Sequence, residues 1–264
     1  MTSIFLKDGS LLYYREVGEG RPILFVPGWC MTSEMFEGNL KRLSSDFRCL
    51  AIDPRGQGLS SKSSGGNHYD QHAEDLRDFI EQLDLEDIVL VVWSAAIFTG
   101  YLYLNKFGRD KISAFIVLDQ SPKTLIEDSE DWGEGPLKEL LALNVAVSRG
   151  ELKNVMMEYA SHMVDRALTP SEKFWIVDQA LQTPADIAAL LLNDAIFSDV
   201  SGIAKSFDGA LPTLYFVSTD KADNAKEWFR KYLPRANVEV LGSHMMFWEY
   251  PDQFNETLLN FINK

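Results

Sequence analysis

Cysteine is scarce: Cys30 and Cys49 are the only two in 264 residues. Two cysteines make neither a disulfide framework nor a thiolate metal centre. Cations are the minority charge, with 25 Lys and Arg against 39 Asp and Glu and a formal net charge of −14. A nucleic-acid partner and an anionic membrane are therefore not expected, because both would repel the chain. No apolar run has the length of a membrane span. The opening Met1-Thr2-Ser3-Ile4-Phe5-Leu6-Lys7 has no basic region followed by a long apolar stretch, so no signal peptide is expected. A reducing cytoplasm is the default location. Internal repeats and long low-complexity segments are missing as well. Histidine is limited to His68, His72, His162 and His244. His68 and His72 are spaced to touch on a helix, but no third ligand is evident, and no metal is expected.

What is present is ordinary for a globular protein: 46% hydrophobic and 24% charged residues, in a length that suits one large α/β domain or a core with an insertion. Strand patterns fall at 3–6, 11–16, 23–26, 48–52, 88–92, 115–118, 213–217 and 238–241. The first two are joined by Lys7-Asp8-Gly9-Ser10, whose Asp-Gly signals a hairpin. Helical faces alternate with the later strands, as in Ala73, Leu76, Phe79, Ile80 and Leu83, or in Phe254, Leu258, Leu259 and Ile262. A hairpin followed by strand–helix alternation predicts an α/β fold: an eight-stranded, mostly parallel sheet with helices on both faces. The gap between the strands ending at Leu118 and starting at Thr213 is too long for one crossover. It carries helical patterns near 137–147, 151–160, 171–181 and 185–197. Residues 123–205 are therefore expected to form a helical lid, inserted into a core made of 1–122 and 206–264. The lid would lie over the carboxyl edge of the sheet, where open α/β sheets bind ligands.

Four segments would meet at that edge. The most informative is Val89-Leu90-Val91-Val92-Trp93-Ser94-Ala95-Ala96-Ile97-Phe98. A buried strand ends at a single serine, and a helical pattern of Ile97, Tyr101 and Leu104 follows. That arrangement suits a nucleophile elbow, which pushes Oγ out of the strand end and points the next N–H at a developing oxyanion. The elbow pattern G-x-S-x-G is not met, since Val92 and Ala96 stand where the glycines belong. Beta-branched bulk beside the turn is expected to shift Oγ or narrow the pocket. The second segment, Val26-Pro27-Gly28-Trp29-Cys30, is a strand end whose glycine allows a sharp turn that presents the Trp29 N–H. The third, Leu118-Asp119-Gln120-Ser121-Pro122-Lys123, sets an acid just past a strand; the commoner fate of such an Asp is a solvated loop or a cap. The fourth, Leu241-Gly242-Ser243-His244-Met245, sets one histidine among apolar residues. Between them, Asp53-Pro54-Arg55-Gly56-Gln57-Gly58 lacks the Gly-Lys-Ser/Thr of a phosphate loop and reads as a rigid structural turn.

Ser94, Asp119 and His244 occur in the order Ser…Asp…His, and the chain resembles the α/β-hydrolase superfamily, close to its esterase and cofactor-free haloperoxidase-type members. The resemblance covers nearly the whole chain. It implies Ser94 as nucleophile, His244 as general base and acid, a carboxylate to hold the imidazole, and the N–H groups of Trp29 and Ala95 as the oxyanion hole. It calls for no cofactor. Relatives usually carry His-Gly where this chain has Pro27-Gly28. Many also take the acid from the loop that here reads Ser218-Thr219-Asp220-Lys221, so Asp220 stands as an alternative to the favoured Asp119.

These features lead to a serine hydrolase acting on a carboxylic ester or lactone, with a small apolar ester as its partner molecule. Two alternatives remain open. Pro27-Gly28-Trp29-Cys30 also resembles a loop of cofactor-independent ring-cleaving dioxygenases, which use a His–Asp dyad; those enzymes resemble His-Ser-His where this chain has Trp93-Ser94-Ala95. The missing elbow glycines motivate a non-catalytic binding protein.

Overall fold

The computed structural model describes residues 2–128 and 131–263. Eight strands form one sheet: β1 (Thr2–Phe5), β2 (Leu11–Val17), β3 (Pro22–Val26), β4 (Arg48–Ile52), β5 (Ile88–Trp93), β6 (Ile112–Leu118), β7 (Thr213–Val217) and β8 (Asn237–Val240). Their order across the sheet is β1-β2-β4-β3-β5-β6-β7-β8. The β1–β2 hairpin is antiparallel and joins antiparallel to β4; every later pairing is parallel. Gly9 makes the hairpin turn at φ +85°, a conformation that costs glycine little. Strand β6 begins at Ile112, three residues before its expected start, because the polar Ser113 broke the apolar run.

The central strands read as unbroken apolar runs because both faces of the sheet are covered. All six residues of β5 and all five of β3 and β7 are buried. Alternate side chains point to opposite faces. Leu24, Leu90, Val92 and Val117 pack with α2 (Tyr69–Gln82) and α3 (Ala96–Phe107), through Leu76, Phe79 and Phe98. Ile23, Phe25, Val91 and Ile116 pack on the other side with α1 (Glu37–Leu43), through Leu40 and Leu43.

Among the described residues five α-helices lie between β6 and β7: α4 (Leu137–Ala146), α5 (Leu152–Tyr159), α6 (Pro170–Ala180), α7 (Ala185–Ile196) and α8 (Ser201–Phe207). Helix α6 starts at a reciprocal cap in which Thr169 and Glu172 satisfy each other's backbone amides, with Pro170 in the first turn. The chain closes with α9 (Ala222–Tyr232), α10 (Met246–Glu249) and α11 (Pro251–Ile262). Among the described residues no helix is long and apolar enough to cross a membrane, and no His/Cys/Asp/Glu group is arranged to hold a metal. His68 serves instead as the N-cap of α2, accepting the Gln71 amide through Nδ1 at 3.2 Å.

Candidate active site

Strand β5 ends and α3 begins with Ser94 between them, at φ +55°. A non-glycine residue held in the left-handed region stores strain, and such strain clusters at functional turns. The turn is pinned on both sides: the Ser94 amide donates to Leu118 O at 2.9 Å, and Ser94 O accepts the Ile97 amide at 2.9 Å. The bulk of Val92 is accommodated one turn into the helix. A Cβ on Gly100 would stand 3.2 Å from Val92 Cγ1 and 2.7 Å from the Phe115 ring. The glycine on α3 therefore supplies the space that a glycine at position 92 would otherwise provide.

The acid and the histidine converge from β6 and the loop after β8. Asp119 Oδ2 lies 2.8 Å from His244 Nδ1, and its Oδ1 accepts the Ser218 amide at 2.8 Å. Asp119 is 1% exposed and sits at φ +47°, a conformation Asp tolerates better than most residues. Burial alone would raise its carboxyl pKa. The His244 hydrogen bond and charge, helped by Lys221 and the Ser218 amide, override burial and hold it well below the usual carboxylate range. Asp220, the alternative acid, lies exposed in the single turn Thr219–Lys221, with no bond to His244 among the described residues. His244 is fixed from behind by its own backbone: its carbonyl accepts Trp93 Nε1–H at 2.9 Å, and the next amide, of Met245, donates to Met163 O at 2.8 Å. The Tyr159 ring stands edge-on to the imidazole, centroids 6.0 Å apart.

The loop after β3 lies against the serine. A Cβ on Gly28 would sit 2.7 Å from Ser94 Cβ, so only glycine lets the strand end pass there. The next residue, Trp29, lines the same cavity as Ser94 and Ala95. Among the described residues, neither the Trp29 nor the Ala95 amide donates to a protein acceptor. Both are open to a ligand oxygen, and Ala95 is also the N-cap of α3, where the helix dipole favours negative charge. Two side chains from the Asp53–Gly58 turn hold the loop: Gln57 Oε1 accepts the Cys30 amide at 2.6 Å, and Asp53 Oδ1 accepts the Ser33 amide at 2.7 Å. Trp29 Nε1 adds a third anchor by donating to Ala188 O on α7 at 2.8 Å. Sequence reasoning found the loop and missed these anchors, because each partner is remote in the chain. Cys30 itself is fully buried, and burial drives its thiol pKa up, away from nucleophile chemistry.

Arg55 is structural. It is 3% exposed and makes a bidentate pair with Asp75, both contacts 2.7 Å, and a further one with Asp8. His72 is buried beside it, and burial lowers its pKa to about 3, so it stays neutral.

A cavity of about 400 Å³ opens over Ser94. Trp29, Ala95 and Phe98 form the side belonging to the sheet. Leu140, Leu143, Val155, Leu192 and Ile196, from α4, α5 and α7, form the other.

The family model described as "alpha/beta hydrolase fold" matches residues 21–141. A non-heme chloroperoxidase of Kitasatospora aureofaciens is 26% identical over 274 residues, covering 98% of each chain. Among solved structures, an esterase of Exiguobacterium antarcticum superposes with TM-score 0.91 at 21% identity, over 100% of this chain and 99% of the other. A bromoperoxidase of Bacillus anthracis superposes with TM-score 0.89 at 20% identity, over 100% of both.

Proposed function

Since the chain belongs to the α/β-hydrolase superfamily, we propose that it is a serine hydrolase that cleaves a carboxylic ester or lactone through an acyl-enzyme on Ser94. The observation that carries this reading is a strained serine elbow and two unpaired backbone amides on one cavity, with a buried Asp119–His244 pair whose imidazole meets Tyr159 of the cavity wall.

With Asp119 accepting from Nδ1, the basic lone pair of His244 is on Nε2. As Ser94 Oγ attacks the ester carbon, its proton passes to Nε2. The carbonyl oxygen becomes an oxyanion between the Trp29 and Ala95 amides, and Asp119 balances the imidazolium. The C–O bond to the alcohol then breaks and Nε2 returns the proton to the leaving oxygen. Water repeats the sequence on the acyl-enzyme, with His244 again as base, and releases the acid. Every group in the cycle belongs to the chain, so no cofactor is required. The apolar cavity lining favours an apolar acyl or alcohol part. Residues 123–205 act in this reading as the lid that excludes water from it.

The dioxygenase reading would use the same Asp119–His244 pair but give Ser94 no role as nucleophile. The residues flanking the serine favour the hydrolase, since Trp93 and Ala95 stand where the dioxygenases resemble His-Ser-His. The deciding test is a Ser94→Ala protein, checked for folding by circular dichroism. It should lose turnover of p-nitrophenyl esters and labelling by a fluorophosphonate probe. Unchanged ester turnover in that variant would refute the assignment.

A further inference from the structure

Besides the proposed nucleophile Ser94, the cavity holds few polar side chains, and the buried or half-buried ones are paired with one exception. Thr124 Oγ1 donates to Ala195 O at 2.6 Å. Glu134 accepts Lys221 Nζ through both carboxylate oxygens, each at 3.1 Å. Glu158, Tyr159 and His162 are exposed on the solvent side. The exception is Gln120, next in the chain to Asp119. It lines the cavity, is only 3% exposed, and its side-chain amide has no partner among the described residues. Its amide faces the cavity, so an apolar substrate that displaces water from it leaves it unpaired at a cost, and a group that enters and pairs with it is favoured over one that cannot.

The charges decide what kind of group that is. Glu134 and Glu158 both line the cavity, whereas no lysine or arginine among the described residues does. Lys221, the cation beside it, is held by Glu134; burial would lower its pKa, and the charges of Glu134 and Asp119 raise it instead. A carboxylate on the substrate would meet two acids and no free cation. Gln120, in contrast, offers two donors and an acceptor to a neutral oxygen.

We infer that this cavity selects an uncharged ester that carries a second neutral oxygen, keto, hydroxyl or ether, and that the Gln120 amide reads that oxygen. The inference rests on the serine-hydrolase reading and refines its substrate class. It makes Gln120 a specificity residue rather than a catalytic one.

The test compares kcat/KM within matched pairs: p-nitrophenyl pentanoate against its 4-oxo analogue for the acyl side, and butyl against 2-methoxyethyl benzoate for the alcohol side. The p-nitrophenyl hemisuccinate serves as the anionic probe. The wild-type protein should prefer the oxygenated member of one pair by roughly 10-fold, the range set by leaving a buried amide unpaired. Gln120→Met, close in shape and unable to pair, should bring that ratio to about 1. Disturbance of the adjacent Asp119 would slow both members equally and leave the ratio where it was. The hemisuccinate should be the poorest acyl probe in both proteins. A ratio that Gln120→Met does not move in either pair, or a wild-type preference for the hemisuccinate, overturns the inference. Loss of all ester turnover would instead point at the hydrolase reading. Calorimetric binding of the unreactive anilides of the same three acids then gives the comparison, with the 4-oxo anilide expected to lose its advantage in Gln120→Met.

Discussion

Replacing Asp119 by Asn changes one atom type in a pair of hydrogen bonds, and the geometry dictates the consequence for the imidazole. In the wild-type protein both carboxylate oxygens accept, one from the Ser218 amide and one from His244 Nδ1–H, each at 2.8 Å. Asparagine has one acceptor and one donor for those two places. If its oxygen takes the Ser218 amide, its NH₂ faces Nδ1 and forces the imidazole proton onto Nε2, where the base should be. If its oxygen takes Nδ1–H instead, the NH₂ opposes the Ser218 N–H, and a buried amide is left unpaired at a cost of about 1–3 kcal/mol. The wrong tautomer is therefore the favoured one, and in serine proteases that error lowers kcat by about 10⁴. At 1.36 kcal/mol per decade this is about 5 kcal/mol of barrier. The pH dependence of stability changes too. The Asp119 pKa is depressed in the folded state, so its contribution is fully present above the unfolded carboxylate value and is lost as pH falls through the folded one. Asp119→Asn should therefore flatten part of the acid limb of the urea-unfolding profile as well as abolish turnover. Ester hydrolysis by Asp119→Asn and Asp220→Asn, with kcat read at neutral pH, checks the assignment. A near-normal Asp119→Asn beside a crippled Asp220→Asn would refute the reasoning.

Val92→Gly should destabilise the protein by about 2–4 kcal/mol in urea melts without raising kcat, since it empties a filled, fully buried site. Gly100→Ala should overpack the same spot against Val92 and Phe115; about 1–3 kcal/mol of strain, partly offset by better helix propensity, should appear as a lower urea midpoint. Trp93→Phe removes the donor to the His244 carbonyl, and a fall of about 10-fold in kcat, with KM little changed, is expected from steady-state kinetics. Arg55→Leu strands Asp75 and should cost about 3–5 kcal/mol of stability, while the fraction that remains folded keeps its kcat in active-site titration.

The sheet was legible because its signal is local. An apolar run bounded by turn residues identifies a strand wherever it lies, and the expected positions of β3, β4, β5 and β7 fall within a residue of the observed ones. The stations of Ser94 and His244 were legible for a similar reason: Ser94 directly follows a strand, and His244 comes shortly after one, behind Gly242-Ser243. The acid was legible only as a preference: Asp119 and Asp220 both follow strands, and the chain favours Asp119-Gln120-Ser121-Pro122-Lys123 without fixing which acid reaches across to His244. Proximity between β6 and the loop after β8 decides that, and it is set by the sheet order. Helix α9 has the same origin as the missed anchors: Ala225, Trp228 and Phe229 mark its buried face, yet the strong charge around them masks the period until the sheet is there to receive it.

The elbow and the oxyanion loop share a lesson about motifs. In each, the chain departs from a family pattern at the expected position, and the space or the hydrogen bonds that hold the turn come from elsewhere. Gly100 gives room to Val92 from the next helical turn, six residues past Ser94. Gln57 and Asp53 hold the Cys30 and Ser33 amides from a neighbouring loop. What the chemistry constrains is an unoccupied volume and a fixed amide direction, and neither belongs to a particular residue. A glycine missing from the pattern is therefore evidence of lost function only when no other residue vacates the same space. Here one does, so the degenerate pattern does not argue for a non-catalytic protein. A double exchange tests that equivalence. Phe115 remains against position 100, so Gly100→Ala with Val92→Ala should recover only the part of the overpacking due to Val92, leaving a non-additive coupling of about 0.5–3 kcal/mol. Strict additivity of the two single changes would mean that the two positions do not share the space.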